Sequence, residues 1–550
     1  MNPFCWLQDC HVRVFPTGNE GGRRLLRLEA ARGERLSFQA CIRAPEGGEP
    51  VPVSVRVDGP DGIGVRVRRV GFVPMPHHNT ETPMEERDGR GHVPGFVPDP
   101  LFDEDSGLVP AGETASFWVD LTVARGCRPE SVRVDVRVEE GGGERAGRKP
   151  PRSGRSLLSA MAVDLRIREA TIPARRDFPV FQWFYADALL DWYRLQPFEE
   201  GFWDILDPYF RDLSSHGQDT VYVPFLTPPL DGVKRPTQLL RVSRAGGGYR
   251  FDWRDVRRYV ALARSRGIRK FEWTHLFTQW GVRHAVRVYE GQGIGEKLLW
   301  KPETGATSAV YTAFLSRLLP ELKRFLDAEG IAKQSFFHVS DEPHGEEALE
   351  CYRRARGLLS RLAPWMRTMD ALSEVVYGRE GITDMPIPSI RVAKQFADEG
   401  IPCCTYFCCG PRGPYLNRLM DTPLPKLRMA GWLFHRFGMK GFLHWGYNYW
   451  YRSQTRTLID PFSESAGGKW PEWPYGDPFL VYPGPVGPID SIRWEIFSQS
   501  LSDLALLREL DVEGGGALLS GFRDFNDFPK DLSWWKAARR KLLAEGCRVS

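Results

Sequence analysis

Two patterns of apolar residues divide the chain. From about residue 11 to 172 the period is two. Val53-Ser54-Val55-Arg56-Val57, Val65-Arg66-Val67-Arg68-Arg69-Val70 and Val132-Arg133-Val134-Asp135-Val136-Arg137-Val138 alternate apolar with polar positions. Neighbouring side chains of a strand point to opposite faces, so this alternation predicts half-buried antiparallel strands. Turn clusters such as Asp58-Gly59-Pro60-Asp61-Gly62 separate them. Many short strands with turns between them predict a β-sandwich over residues 1–172. The Gly- and Arg-rich run 139–156 reads as a hairpin loop, too poor in aromatics for a nucleic-acid arm.

After the linker Ile172-Pro173-Ala174-Arg175-Arg176-Asp177 the period changes. Short apolar runs alternate with longer stretches of helical spacing. Eight strands are predicted, at 178–185, 220–226, 270–277, 334–340, 365–372, 382–390, 402–409 and 441–450. Helices are predicted at 256–266, 309–329, 346–362 and 425–437. Eight strand–helix units in this span predict a (β/α)8 TIM-like barrel over residues 173–510. The sixth unit carries Pro386 and Pro388, which weaken it as a strand. A doubly wound open sheet is the alternative, but no Gly-rich phosphate loop follows an early strand. Residues 511–550 form a helical tail, in which an amphipathic helix at 531–545 packs Trp534 and Trp535 on the barrel.

Length and composition narrow the function. A chain of 550 residues exceeds one ordinary core, and 42% apolar with 26% charged residues is a normal globular balance. A net charge of +4 gives no footprint for nucleic acid or an anionic membrane. Nothing approaches the 18 consecutive apolar residues of a membrane span. The opening Met1-Asn2-Pro3-Phe4-Cys5-Trp6 has no secretory pattern, and ten Cys lack C-x-x-C spacing; both fit reduced thiols in the cytoplasm. Exposed sandwich faces leave room for a homodimer. Aromatics reach 12%, with 18 Trp, and such side chains stack on the apolar faces of sugar rings.

The segment Phe336-Phe337-His338-Val339-Ser340-Asp341-Glu342-Pro343 ends an aromatic strand in two adjacent carboxylates. Pro343 cannot donate to a ladder, so the acids fall at the strand tip, and aromatic surroundings raise a carboxyl pKa. A proton donor and a negative charge are what glycosidic cleavage requires. In a barrel the chemistry lies at the C-terminal strand ends. There stand Trp183 and Tyr185, His275, Asp341 and Glu342, Asp370, Tyr406, and Trp445, Tyr447, Asn448 and Trp450. His338 alternates toward the same face as Ser340 and reads as part of the barrel mouth. No H-E-x-x-H or Cys/His cluster calls for a metal, and no G-x-S-x-G elbow points to an esterase. No cofactor is expected. Adjacent acids cannot easily flank a sugar ring from opposite sides. They do suit substrate assistance, in which a 2-acetamido group of the sugar is the nucleophile.

These residues resemble glycoside hydrolase family 123, whose described activity is β-N-acetylgalactosaminidase. The resemblance is carried by Asp341-Glu342, Cys408-Cys409-Gly410-Pro411, Asn417-Arg418, the run from Gly441 to Trp450, the run from Gly476 to Gly484, and Ser491-Ile492-Arg493-Trp494-Glu495. It implies that Asp341 orients the acetamido group and that Glu342 is the general acid/base. It also implies that Tyr447, Asn448 and Trp450 form part of the sugar-binding floor, with Asp477 and Tyr482 reaching substrate hydroxyls. The implied activity is retaining, exo-acting removal of a terminal β-N-acetylhexosamine from a glycan or glycoconjugate. Two alternatives stay open. One is a glycosidase for a non-acetamido sugar with Asp370 or another strand-end acid as nucleophile, and the other is a non-catalytic carbohydrate-binding protein.

Overall fold

The computed structural model describes residues 3–18, 21–141, 156–175, 177–229, 237–291 and 296–545. The first part of the chain is β-rich and the remainder mixes helices with short strands. The loop expected at 139–156 falls largely outside the described residues; its flanking strands Ser131–Glu140 and Leu157–Thr171 pair antiparallel.

Two sheets make up the β-rich part. One follows the order Leu25–Arg32, Leu157–Thr171, Ser131–Glu140, Val51–Asp58, Ser106–Val109. Its first pair is parallel, where sequence alternation had predicted antiparallel strands throughout. Period two cannot distinguish the two directions, because both alternate faces. The other sheet runs Phe4–Asp9, Arg35–Arg43, Thr114–Val123, Ile63–Met75, Gly95–Phe102 and continues into Pro488–Ser491 and Tyr482–Pro483. Two strands of the later chain thus complete a sheet begun in the first hundred residues.

Alternation explains how that sheet serves two cores. On Thr114–Val123, Phe117, Val119 and Leu121 point between the sheets, whereas Trp118 joins the core of the helical part. The contact between the two parts is also ionic. Arg68 reaches Asp120 (2.5 Å), Asp490 (2.5 Å) and Glu495 (2.6 Å), all buried. Arg493 donates to both oxygens of Asp99 at 3.0 and 2.9 Å. Buried ions are tolerated because each charge is paired and hydrogen-bonded.

Beyond the linker, all eight expected strands form, each shorter than its apolar run: Val180–Gln182, Thr220–Val223, Lys270–Trp273, Ser335–Phe337, Met369–Ala371, Met385–Ile387, Thr405–Tyr406 and Phe442–His444. Their mutual pairings are parallel. Parallel bridges Phe337–Thr368 and Ser389–Tyr406 link neighbouring groups of strands. Helices Arg254–Ser265, Ala309–Ala328 and Gly345–Leu362 match expectation closely. The predicted helix 425–437 is two, Leu424–Arg428 and Ala430–Arg436. The tail helix Leu532–Glu545 was expected on the barrel, but it also clamps the sandwich. Lys536 pairs with Asp9 and Arg540 with Glu29, and Arg539 lies between Glu34 and Asp503. Among the described residues, no helix is long and apolar enough to cross a membrane.

Candidate active site

The strand Ser335–Phe337 stops early, and the next five residues carry its chemistry. Their backbone is held by side chains instead of a ladder. Asp370 accepts from Val339 N–H (3.3 Å) and Ser340 N–H (3.0 Å). The chain then turns so that Glu342 takes φ +42°, a left-handed value uncommon outside glycine. Two backbone bonds fix this turn: Glu342 N–H donates to Ala371 O (2.9 Å), and Trp280 N–H donates to Asp341 O (2.8 Å). Such strain persists only where the surroundings over-determine it, and it clusters at functional sites.

Asp341 and Glu342 line a pocket of about 130 Å³. Its walls are aromatic: Trp183, Trp280, Tyr406, Trp445 and Trp473. Cys408, Cys409 and Gln454 complete the rim. Among the described residues, Asp341 and Glu342 are the pocket's carboxylates. Tyr406 donates its hydroxyl to Glu342 Oε1 at 2.6 Å. Burial, then the Glu342 charge, pushes the Tyr406 pKa well above its ordinary 10, so this phenol stays a donor at neutral pH.

Beneath the pocket lies a buried polar chain. Glu272 Oε1 accepts from Trp183 Nε1 (2.8 Å) and bonds His338 Nε2 (2.7 Å). The other His338 nitrogen faces Asp370 (3.4 Å), which also takes the Tyr352 hydroxyl. Burial alone would strip the His338 proton, but the bonds to Asp370 and Glu272 override it and push the pKa up to about 9. His275 stacks on His338 at 4.1 Å; burial, then the His338 charge, holds it well below 6.5 and neutral. His275, His338 and Asp370 bring one ligating atom each within 4.8 Å of one another. The two imidazole planes are within 15° of parallel, so their in-plane lone pairs do not converge on one ion. The stack reads as a hydrogen-bonded support for Trp183 and for the backbone leading to Asp341.

The structure separates the expected site residues into groups. Trp183, Asp341, Glu342, Tyr406 and Trp445 meet at the pocket. His275, His338 and Asp370 lie one layer below. The expected sugar-binding floor after the eighth strand is corrected: its residues bond inward, because the strand ends at His444 and the chain turns into packing. Tyr447 donates to Asp212 (2.5 Å), Trp450 to Val481 O (3.0 Å), and Asn448 clamps the backbone of Tyr185 in both directions at 2.9 and 3.0 Å. Tyr185 itself is buried with its ring edge-on to Tyr449. Tyr482, expected near substrate, donates to Asp99 (2.7 Å) at the sandwich contact. Asp477 is fully buried and accepts from Trp445 Nε1 (2.8 Å), so it holds a pocket wall. Burial outweighs Arg418 and pushes its pKa up to about 7.

Several residues of the pocket and of the polar layer beneath it were absent from the sequence reading. Glu272 was legible: an acid between Phe271 and Trp273 inside an apolar strand needs a buried partner. Trp473 lies in the aromatic run Trp470-Pro471-Glu472-Trp473-Pro474. Trp280 and Gln454 lie on loops whose folding no local pattern announces.

Two carboxylates in an aromatic pocket at strand ends define a carbohydrate-cleaving class of site. The sequence model of the glycoside hydrolase 123 catalytic domain matches residues 183–510. The chain belongs to glycoside hydrolase family 123 and is a glycoside hydrolase. Among solved structures, a family 123 glycoside hydrolase from Clostridium perfringens, described for glycolipid glycan hydrolysis, superposes with a TM-score of 0.71 at 12% identity. That match covers 99% of this chain and 97% of the other, and it shows a shared fold. A Bacteroides ovatus GH5 xyloglucanase matches at a TM-score of 0.29 and 10% identity, over 87% of this chain and 98% of its own, too low to carry an argument. No curated protein sequence matches the chain.

Proposed function

We propose that the protein is a retaining, exo-acting β-N-acetylhexosaminidase that uses substrate assistance, with terminal N-acetylgalactosamine on a glycan or glycoconjugate as its favoured substrate. One observation carries this reading: among the described residues, the pocket's carboxylates are chain neighbours, Asp341 and Glu342. A retaining enzyme with its own nucleophile needs two carboxyl groups facing across the sugar. The next acid, Asp370, is committed to Tyr352, His338 and two backbone N–H groups. The nucleophile is then the acetamido oxygen of the substrate. Glu342 protonates the leaving oxygen while that carbonyl oxygen attacks the anomeric carbon. Asp341 accepts the acetamido N–H as positive charge spreads onto the ring that forms. Glu342 next takes a proton from water, which opens the intermediate with net retention.

We also read the eight parallel strands as a closed (β/α)8 barrel, with domains at 1–172 and 173–510 and a tail at 511–550. The two parallel bridges support closure, as does the position of both acids just past a strand end. The reading needs no cofactor and fits a reducing cytoplasm, where Cys408 and Cys409 at the pocket rim stay thiols.

Matched aryl β-glycosides of N-acetylgalactosamine, N-acetylglucosamine, galactose and glucose test it. Turnover is expected for the acetamido sugars alone, with the β-anomer appearing first by proton NMR. Glu342→Gln should lower kcat about 10²–10⁴-fold, most for poor leaving groups. Asp341→Asn should lower it on acetamido sugars with the fold intact. Turnover of galactosides or glucosides would transfer the nucleophile role to a protein carboxylate.

A further inference from the structure

A second cleft opens beyond Trp280. Its volume is about 260 Å³, twice that of the catalytic pocket, and Trp280 lines both. Trp280 is 54% exposed, an unfavourable setting for so large an aromatic surface. Its backbone is strained as well. Trp280, Gly281 and Val282 take φ of 58°, 142° and 57°, and a β-branched residue is a rare occupant of that region. The fold enforces this turn. Val282 is buried, Trp280 N–H is tied to Asp341 O, Thr278 N–H donates to His284 O (3.1 Å), and His284 N–H donates to Thr278 Oγ1 (3.2 Å). A strained, well-anchored loop thus holds an indole as the partition between the two acids and the second cleft.

The cleft sets a cation among largely apolar walls. Pro228, Pro229 and Pro302 give it stiff walls, and Arg287 and Tyr289 stand among them. Arg287 is half-buried and pairs with no carboxylate among the described residues. The charges of Arg287, Glu296 and Arg456 all act on the Tyr289 hydroxyl. A partly desolvated guanidinium without a carboxylate partner among the described residues favours an anionic guest.

Resting on the exo-glycosidase reading, we propose that this cleft is the subsite for the saccharide on the leaving side of the scissile bond, and that Arg287 meets a carboxylate or sulfate on that saccharide. With the terminal sugar in the catalytic pocket, the leaving sugar crosses the Trp280 partition and lays its C–H face on the indole. Its acidic group then lies in the cleft.

The test compares kcat/KM for three trisaccharides: a β-N-acetylhexosaminyl lactose, its lactose-sulfated analogue and its sialylated analogue. At least one anionic substrate should exceed the neutral one by about tenfold, the scale of one charge-assisted bond at a half-exposed site. In Arg287→Gln that ratio should collapse toward one, whatever the absolute rate. Lactose and 3′-sulfolactose are also titrated calorimetrically into both proteins, which reads the cleft without turnover. Tighter binding of the sulfated sugar to the wild type, lost in Arg287→Gln, supports the subsite even if no glycoside is cleaved; in that case only the exo-glycosidase reading fails. Cleavage of all substrates at equal rates, with no difference in binding, overturns the subsite and leaves the glycosidase reading standing.

Discussion

Glu342 combines a left-handed backbone with a 2.6 Å bond from Tyr406. The backbone fixes where the carboxylate starts, and the phenol fixes where it points. A hydrogen bond to a charged group contributes about 1.5–3 kcal/mol. Tyr406→Phe should therefore lower kcat about tenfold or more, with a loss of stability no larger than this one bond, since the ring still fills its place. Steady-state kinetics beside a melting curve check this; an unchanged kcat would show that the bond does not position the acid. At this scale the sequence was partly legible. Asp341 and Glu342 stood out because two acids end an aromatic strand. Tyr447, Asn448 and Trp450 looked equivalent to pocket residues, yet their polar atoms turn to Asp212, Tyr185 and Val481. A residue name carries the capacity for a hydrogen bond but not the direction in which it is spent.

Elements were the most legible level. All eight parallel strands and the main helices fell where apolar periodicity put them, and Pro386 did not prevent Met385–Ile387 from pairing with Met369–Ala371. Strand lengths were overestimated because an apolar run continues past the last ladder bond into loops buried by other means, as Val339 and Ser340 are by Asp370. The break in the predicted helix 425–437 has a neighbour at close range. Helix Ala430–Arg436 packs on Ile492–Glu509 through Gly431, where an added Cβ would lie 1.9 Å from Ser500 O. Because that obstacle is backbone, Gly431→Ala should cost about 3 kcal/mol, the upper range for overpacking. The measurement is the urea midpoint at matched pH. A change under one kilocalorie would mean the helices separate easily.

The whole molecule is joined by buried charge, and this gives it a predicted pH dependence. His338 and His216 hold folded pKa values of about 9 and about 10 against an ordinary 6.5; in each, carboxylate partners override burial. A histidine raised in the fold stabilises fully below 6.5 and loses that contribution as pH climbs toward the folded value. Burial raises Asp477 and Asp490 to about 7 from an ordinary 3.8, so their ionisation weakens the fold between those values; that loss is nearly complete by pH 7, leaving the slope above 7 to the histidines. Histidines shifted down, such as His275 and His444, have made their contribution by pH 6.5. Lys426, lowered to about 8, opposes the trend only near and above that pH. Stability should thus fall between pH 6.5 and 8, at about 1.4 kcal/mol per pH unit for each raised histidine. In His338→Gln the slope should be about half as steep. Urea titrations at several pH values decide it, and a flat wild-type profile would refute the assignment. The sequence by itself determined the two periodicities, and so the β-rich and α/β parts, together with the acid pair at the fourth strand's tip. These are local: each follows from side-chain spacing along a few residues. Only the tertiary structure decided that residues 482–491 complete the first part's sheet, that Trp280 partitions two cavities, and that Asp370 is consumed beneath the pocket. Those outcomes depend on contacts between residues tens to hundreds apart in the chain, which no local pattern encodes.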